Sequence, residues 1–283
     1  MSPPFITRFA PSPTGLLHRG HAYSALLAHQ AAGAARGTFL LRIEDIDLTR
    51  SRPEFEAAIF EDLAWLGLSW PEPVRRQSEH LADYGAALER LQADGLIYRC
   101  FRTRKEVAQA MASAPHGAMD TFRSAPLPAH EEAERLAREE PFAWRLSLDA
   151  AAALLGGFEH LAFQEEGQGP GGETGLIAAR PELGGDVVLA RKDVGVAYHL
   201  AVVVDDALQG VTHVIRGGDL FEAAHVQRLL QALLGLPTPI YRHHRLLAGP
   251  DGKRYAKRDR AETLQALRGA GLTPERLRQE MGL

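Results

Sequence analysis

The chain opens on a pattern that admits few folds. An apolar pulse at Phe5, Ile6 and Phe9 runs into a turn set by Pro11, Pro13 and Gly15, and an Ala/Leu-rich stretch follows over residues 22–35. The pulse reads as a short buried strand, the Pro/Gly run as a rigid turn and the stretch as a helix. Residues 38–47, TFLLRIEDID, read as a second buried strand ending in acids. Strand, helix, strand begins a parallel α/β sheet, and such sheets hold ligands at the carboxyl ends of their strands. His18 and His21 fall three apart on the first helical turn, hence on one face. Gly20 between them leaves the backbone open to a ligand. A helix N-terminus offers free N–H groups and a positive dipole end, which suits a phosphate. The same rule brings Glu44 near that turn. Taken alone, HRGH also reads as a surface turn, and Asp45 and Asp47 as loop or cap acids.

Composition narrows the class. At 283 residues the chain can bury one sizeable core with room for an inserted subdomain. A formal charge of -4 excludes a generally basic nucleic-acid coat but leaves room for a local basic patch. No charged segment followed by an apolar run opens the chain, and apolar runs such as residues 200–204 are far too short to cross a membrane, so a cytoplasmic protein is expected. A single cysteine, Cys100, excludes an internal disulfide and a cysteine-rich zinc site.

Helical spacing returns at residues 53–66 and 80–96, and residues 96–101 read as a short strand. From 102 to 183 the character changes to Ala, Pro and Gly, with an acidic helix at 129–140 and a loop, QGPGGETG, at 168–175. This stretch reads as an insertion carrying little chemistry. Residues 186–191 and 197–204 are two buried strands or a strand–helix pair. A strand into a glycine turn at 212–219, a helix at 223–234, a basic turn at 248–259 and a helix at 261–270 complete the chain. The expected division is 1–101 and 186–245 for two halves of one α/β domain, 102–185 for the insertion, and 246–283 for the basic loop and terminal helices.

RFAPSPTG before HRGH and LLRIEDID after it resemble the glutamyl branch of the class I aminoacyl-tRNA synthetases. With AYHLAVVVDD, VIRGGDL and the early stop, the pattern is similar to the glutamyl-Q tRNA(Asp) synthetase family. The resemblance implies a Rossmann-type catalytic domain with a parallel sheet, an inserted α/β subdomain, a short helical tail and no anticodon-binding domain. It implies activation of L-glutamate with ATP and Mg²⁺, and transfer to the queuosine base in the anticodon stem-loop of tRNA(Asp). On that resemblance His18, Gly20, His21, Arg254 and Lys257 hold ATP. Arg8, Ala10, Ser12, Glu44, Tyr198 and Arg216 form the glutamate pocket. Arg8 and Arg216 would pair with its carboxylates, Glu44 would take the ammonium and Tyr198 would donate a hydroxyl.

The sequence departs from the family at several places. In KRYAKR, Arg254 stands for the first lysine of the second signature and Ala256 for its serine, while Lys257 matches the second lysine. Arg19 fills a slot the family keeps apolar. The family's Cys-x-Cys is reduced to Cys100, and His116 and Asp120 downstream complete no good zinc set; no zinc is expected. Arg242, His243, His244 and Arg245 read either as a contact to RNA phosphates or as a solvated turn. A monomer is the default. The rivals are a synthetase charging the 3′ end of a tRNA, a small nucleotidyltransferase and a silent RNA-binding paralog.

Overall fold

The apolar pulse forms β1 (Ile6–Phe9) and the Ala-rich stretch forms α1 (Arg19–Ala34). The computed structural model from which these elements are taken describes residues 4–112, 121–191, 195–247 and 262–283. Helix α1 is built largely of strong helix formers and turns Ala22, Ala25, Leu26, Ala28 and Ala32 into the core. The chain then reverses at Arg36 and Gly37 and enters β2 (Thr38–Ile43), parallel to β1 with Ile6 opposite Thr38. A Cβ on Gly37 would lie 2.1 Å from the Phe5 carbonyl oxygen, so only glycine allows the Thr38 amide to donate to that carbonyl at 2.8 Å.

Helix α2 (Pro53–Trp65) and the two-residue β3 (Arg75–Arg76) follow, and β3 extends the sheet beyond β2. Next come α3 (Leu81–Ala93), β4 (Ile97–Cys100), α4 (Arg104–Ala112), α5 (Ala129–Ala137), β5 (Ala143–Leu146) and α6 (Leu148–Leu155). The hairpin β6 (Ala162–Glu165) and β7 (Gly175–Ala178) precedes β8 (Val188–Arg191) and β9 (Gly195–Val196). Strands β4, β5, β8 and β9 form one antiparallel sheet in that spatial order. The chain continues through α7 (Tyr198–Leu208), β10 (His213–Gly217), α8 (Phe221–Leu234) and β11 (Ile240–His244), then through α9 (Leu264–Gly269) and α10 (Pro274–Met281).

Strand β10 runs beside β1. The Thr212 amide donates to the Ile6 carbonyl at 2.9 Å, and the Ile6 amide donates to Thr212 Oγ1 at 2.9 Å. Strand β11 is parallel to β10, and β6 is parallel to β11 at Tyr241 and Glu165. The spatial order is therefore β3, β2, β1, β10, β11, β6, β7. The order of strands reverses between β1 and β10, and a crevice opens outside the carboxyl ends of strands at such a switch point.

Residues 186–191 and 197–204 form the strand–helix pair rather than two strands. The ambiguity has a cause: Leu200 through Asp206 are buried without interruption, and a helix buried on every side shows no polar face. The C-terminal helices complete the core beneath α1 and α2 with Leu264, Leu267, Leu277 and Met281. The Leu264 amide donates to the Leu17 carbonyl at 2.8 Å, which ties the start of α9 to the residue before HRGH. No helix among the described residues is long and apolar enough to cross a membrane.

Candidate active site

A cleft of about 1130 Å³ lies at the switch point. Arg8, Ala10, Ser12, His18, Gly20, His21, Glu44, Tyr198 and Arg216 all line it, although they come from β1, the turn after it, the start of α1, the residue after β2, α7 and β10. Arg254 and Lys257, together with His116 and Asp120, lie outside the described residues.

The HRGH turn is organised by its own backbone. His18 is the N-cap of α1, and its Nδ1 accepts from the Gly20 amide at 3.1 Å. His21 Nδ1 in turn accepts from the His18 amide at 3.2 Å, a reciprocal capping box made of two imidazoles. The rings stack with centroids 3.8 Å apart. An Nδ1 that accepts leaves the proton of a neutral ring on Nε2. Both histidines therefore carry an Nε2–H donor beside the positive end of the α1 dipole, an arrangement suited to an anion. Gly20 keeps this geometry open, because a Cβ there would lie 3.0 Å from the His18 ring.

The basic side chains are held from behind. Arg8 Nε donates to Asp206 Oδ1 at 3.0 Å, and Arg42 Nη1 donates to the same oxygen at 2.7 Å. Arg42 Nη2 also donates to Glu44 Oε1 at 3.1 Å. Burial pushes the Glu44 carboxyl up, against the pull of Arg42 and Arg8. Burial acts the same way on Asp206, but there Arg8 and Arg42 win and hold the carboxyl below its usual range. Behind them Asp205 accepts from Arg75 Nε at 2.7 Å, from Gln77 Nε2 at 2.7 Å and from the Tyr84 hydroxyl at 2.9 Å.

Arg216 is different. Its side chain is buried, with Nε donating to His243 Nε2 at 3.0 Å and Nη1 to Gln227 Oε1 at 2.9 Å and, more weakly, to the Tyr198 hydroxyl at 3.4 Å. Its Nη2 makes no hydrogen bond, and no carboxylate among the described residues forms an ion pair with it. A buried guanidinium with an unused donor calls for an anionic ligand. His199, the next residue to Tyr198, also lines the cleft with a buried, unbonded Nδ1; burial and then Arg216 push its pKa down to about 4, so it is neutral at physiological pH.

The expected RNA contact at residues 242–245 is corrected in part. His243 is buried and its Nδ1 lies 2.5 Å from Glu165 Oε2, so it cannot meet RNA. His244 faces the cleft, where its Nε2 accepts from the Ser24 hydroxyl at 2.8 Å while its Nδ1 donates to the Arg245 carbonyl. Arg242 pairs with Glu166 at 2.5 Å. Cys100 lies buried beside Tyr98 and Phe122, with Val107 and Met111 packed against them.

A model of the family described as tRNA synthetases class I (E and Q), catalytic domain, matches residues 5–283. The chain belongs to that family. A glutamyl-Q tRNA(Asp) synthetase of Rhodobacter capsulatus is 47% identical over 98% of this chain and 100% of its own length. One from Symbiobacterium thermophilum is 44% identical over 95% of this chain and 82% of its own length. Among solved structures, a glutamate-tRNA synthetase from Elizabethkingia anophelis aligns with a TM-score of 0.75 at 29% identity, covering 91% of this chain and 53% of that one. The chain thus spans about half the length of that synthetase. The resemblance read from the sequence and the parallel α/β class both hold.

Sequence reasoning missed Arg42, Asp206, Glu165, His243 and His244 as parts of this class I site. Arg42 and Asp206 sit inside the strand and helix patterns and left one signal, a charge within an apolar run. Glu165 left none, because its partner is 78 residues away.

Proposed function

We propose that this chain activates L-glutamate with ATP and transfers it to the queuosine base of tRNA(Asp). The observation that carries the reading is the buried Arg216, its Nη2 unbonded, in the same cleft as the paired His18 and His21 donors. One end suits a carboxylate and the other a phosphate. The names of the relatives point the same way, since those of near-full-length match are glutamyl-Q tRNA(Asp) synthetases.

In the first step a glutamate carboxylate oxygen attacks the α-phosphorus of ATP in line, and the bond to the bridging oxygen of pyrophosphate breaks. In the second, a cyclopentene hydroxyl attacks the acyl carbon, AMP departs and the hydroxyl proton is released to solvent. No protein nucleophile is needed, so positioning and charge neutralisation do the work. His18 and His21 would meet phosphate oxygens through Nε2–H. Arg254 and Lys257 would add positive charge, and Mg²⁺ arriving with the nucleotide would supply further neutralisation of its phosphate charge. Arg8 and Arg216 would hold the carboxylates, and Glu44, kept beside Arg42, would accept the ammonium. Ala10 and Ser12 would line the turn against the amino acid. The enzyme would need no zinc, since Cys100 lies in a buried apolar cluster.

The test is glutamate-dependent ATP–pyrophosphate exchange with and without tRNA, followed by transfer to queuosine-containing tRNA(Asp). Exchange without tRNA is expected, and label on tRNA(Asp) that nuclease digestion recovers in the anticodon fragment rather than on the 3′-terminal nucleoside. Label at the 3′ end would establish the rival synthetase, and no exchange in any condition would sink the reading.

A further inference from the structure

Glu165 belongs to β6, in the stretch read as an insertion carrying little chemistry, yet its carboxylate is buried against the site strand β11. Oε1 accepts from the His243 amide at 2.8 Å and from the Gly167 amide at 2.7 Å. Oε2 lies 2.5 Å from His243 Nδ1. A Cβ on Gly167 would stand 2.1 Å from the His243 carbonyl oxygen and 2.9 Å from Glu165 Oε1, so the cradle closes only around glycine. His243 packs its ring parallel to Tyr241 and edge-on to Phe221, which leaves the imidazole little room to tilt.

The protonation pattern follows without choice. Arginine has donors only, so Arg216 Nε must donate to His243 Nε2. The neutral ring then carries its proton on Nδ1, and that proton can go only to Glu165 Oε2. Because His243 stands between them, the counter-charge of Glu165 does not occupy the guanidinium itself. Arg216, which lines the cleft, keeps an Nη2 without a hydrogen bond and without an acid paired to it, in contrast to Arg8, whose Nε is bound directly by Asp206.

We propose that Glu165 is a positioning residue for the amino-acid site: through the tautomer of His243 it fixes the Arg216 guanidinium and so sets affinity for the substrate carboxylate. This rests on the reading of the cleft as a glutamate site. The substitution Glu165→Gln is nearly isosteric but cannot satisfy the pattern. The amide oxygen is claimed by the two backbone N–H groups, and the amide NH₂ then faces Nδ1. The ring must accept at Nδ1 and carry its proton on Nε2, which sets two donors against each other at Arg216 Nε. The hold on the guanidinium is lost while the packing stays.

Two readouts test this. In ¹⁵N-histidine NMR, with the His243 signals identified by their loss in His243→Phe, the wild-type ring is expected protonated on Nδ1 and bare on Nε2, and E165Q is expected reversed. In ATP–pyrophosphate exchange, E165Q is expected to raise the glutamate KM at least tenfold and leave the ATP KM within twofold. A wild-type proton on Nε2 overturns the relay whether or not E165Q folds. An active wild type with an unchanged glutamate KM in folded E165Q overturns it too. If the wild type shows no glutamate-dependent exchange, the function proposed above fails, and the tautomer alone decides the relay.

Discussion

Arg8 Nε donates to Asp206 Oδ1 across 3.0 Å, joining β1 to the last turn of α7 through a contact between residues 198 apart in sequence. The same carboxylate accepts from Arg42, so one buried acid bridges two buried cations on neighbouring strands, and Arg42 pairs with Glu44 and Asp205 as well. Without it Arg42 would keep Glu44 and Asp205, whereas Arg8 would lose its hydrogen-bonded acid. The orientation of Arg8 in the cleft is therefore a property of α7 as much as of its own strand.

Removing one partner of a buried ion pair leaves an uncompensated charge, and Asp206→Ala is expected to cost about 3–5 kcal/mol of stability. Urea unfolding followed by circular dichroism measures it. A loss under about 1 kcal/mol would mean that Arg8 and Arg42 find other partners or water.

His18 has two roles that substitution can separate. Asparagine is a good N-cap, so His18→Asn should hold stability within about 0.5 kcal/mol of wild type, whereas His18→Ala should lose roughly 1 kcal/mol. Both are expected to slow pyrophosphate exchange by about 10²–10³-fold, because the Nε2–H donor is gone in each. Full activity in His18→Asn would confine this residue to capping.

Gly20→Ala should separate stability from activity. Alanine is favoured over glycine in a helix by about 1 kcal/mol, which offsets part of the crowding. The new Cβ would sit 3.0 Å from Cε1 and 3.1 Å from Nδ1 of His18, so the ring must move. A melting temperature near that of wild type with exchange reduced at least tenfold is expected. Unimpaired exchange would show that the turn tolerates the displacement.

Asp62 supplies a pH dependence outside the site. It is buried on α2, both its carboxylate oxygens lack hydrogen bonds, and Arg268 of α9 is 3.6 Å away. Burial pushes its pKa up to about 6 from 3.8, against the pull of Arg268. The folded state then binds more protons than the unfolded one between those values, so stability falls as pH rises through about 4 to 6. Asp62→Asn should therefore raise the unfolding free energy by about 2 kcal/mol at pH 7.5 and by little at pH 4. Thermal melts at the two pH values check the sign; a destabilised variant at pH 7.5 would mean that the ion pair to Arg268 outweighs burial.

What the sequence determined was local. The strand, turn and helix that carry HRGH follow from the spacing of apolar residues and from the prolines and glycines between them. So does the acid at the end of β2, because each signal lies within a few residues of the feature it sets. The motifs extended that reading to the parallel α/β class and to Arg8, Glu44, Tyr198 and Arg216, which the fold brings to one cleft. Whether 186–204 held two strands or a strand and a helix was undecidable, since a fully buried helix has no polar face to give its period. Tertiary structure alone decided how the pocket arginines are held. Asp206 meets Arg8, and Glu165 meets His243, only because distant strands and helices close on the same buried layer. A charge inside an apolar run shows in the sequence that some partner must exist, since an unpaired buried ion is too costly. Which residue that partner is depends on the packing of the whole chain.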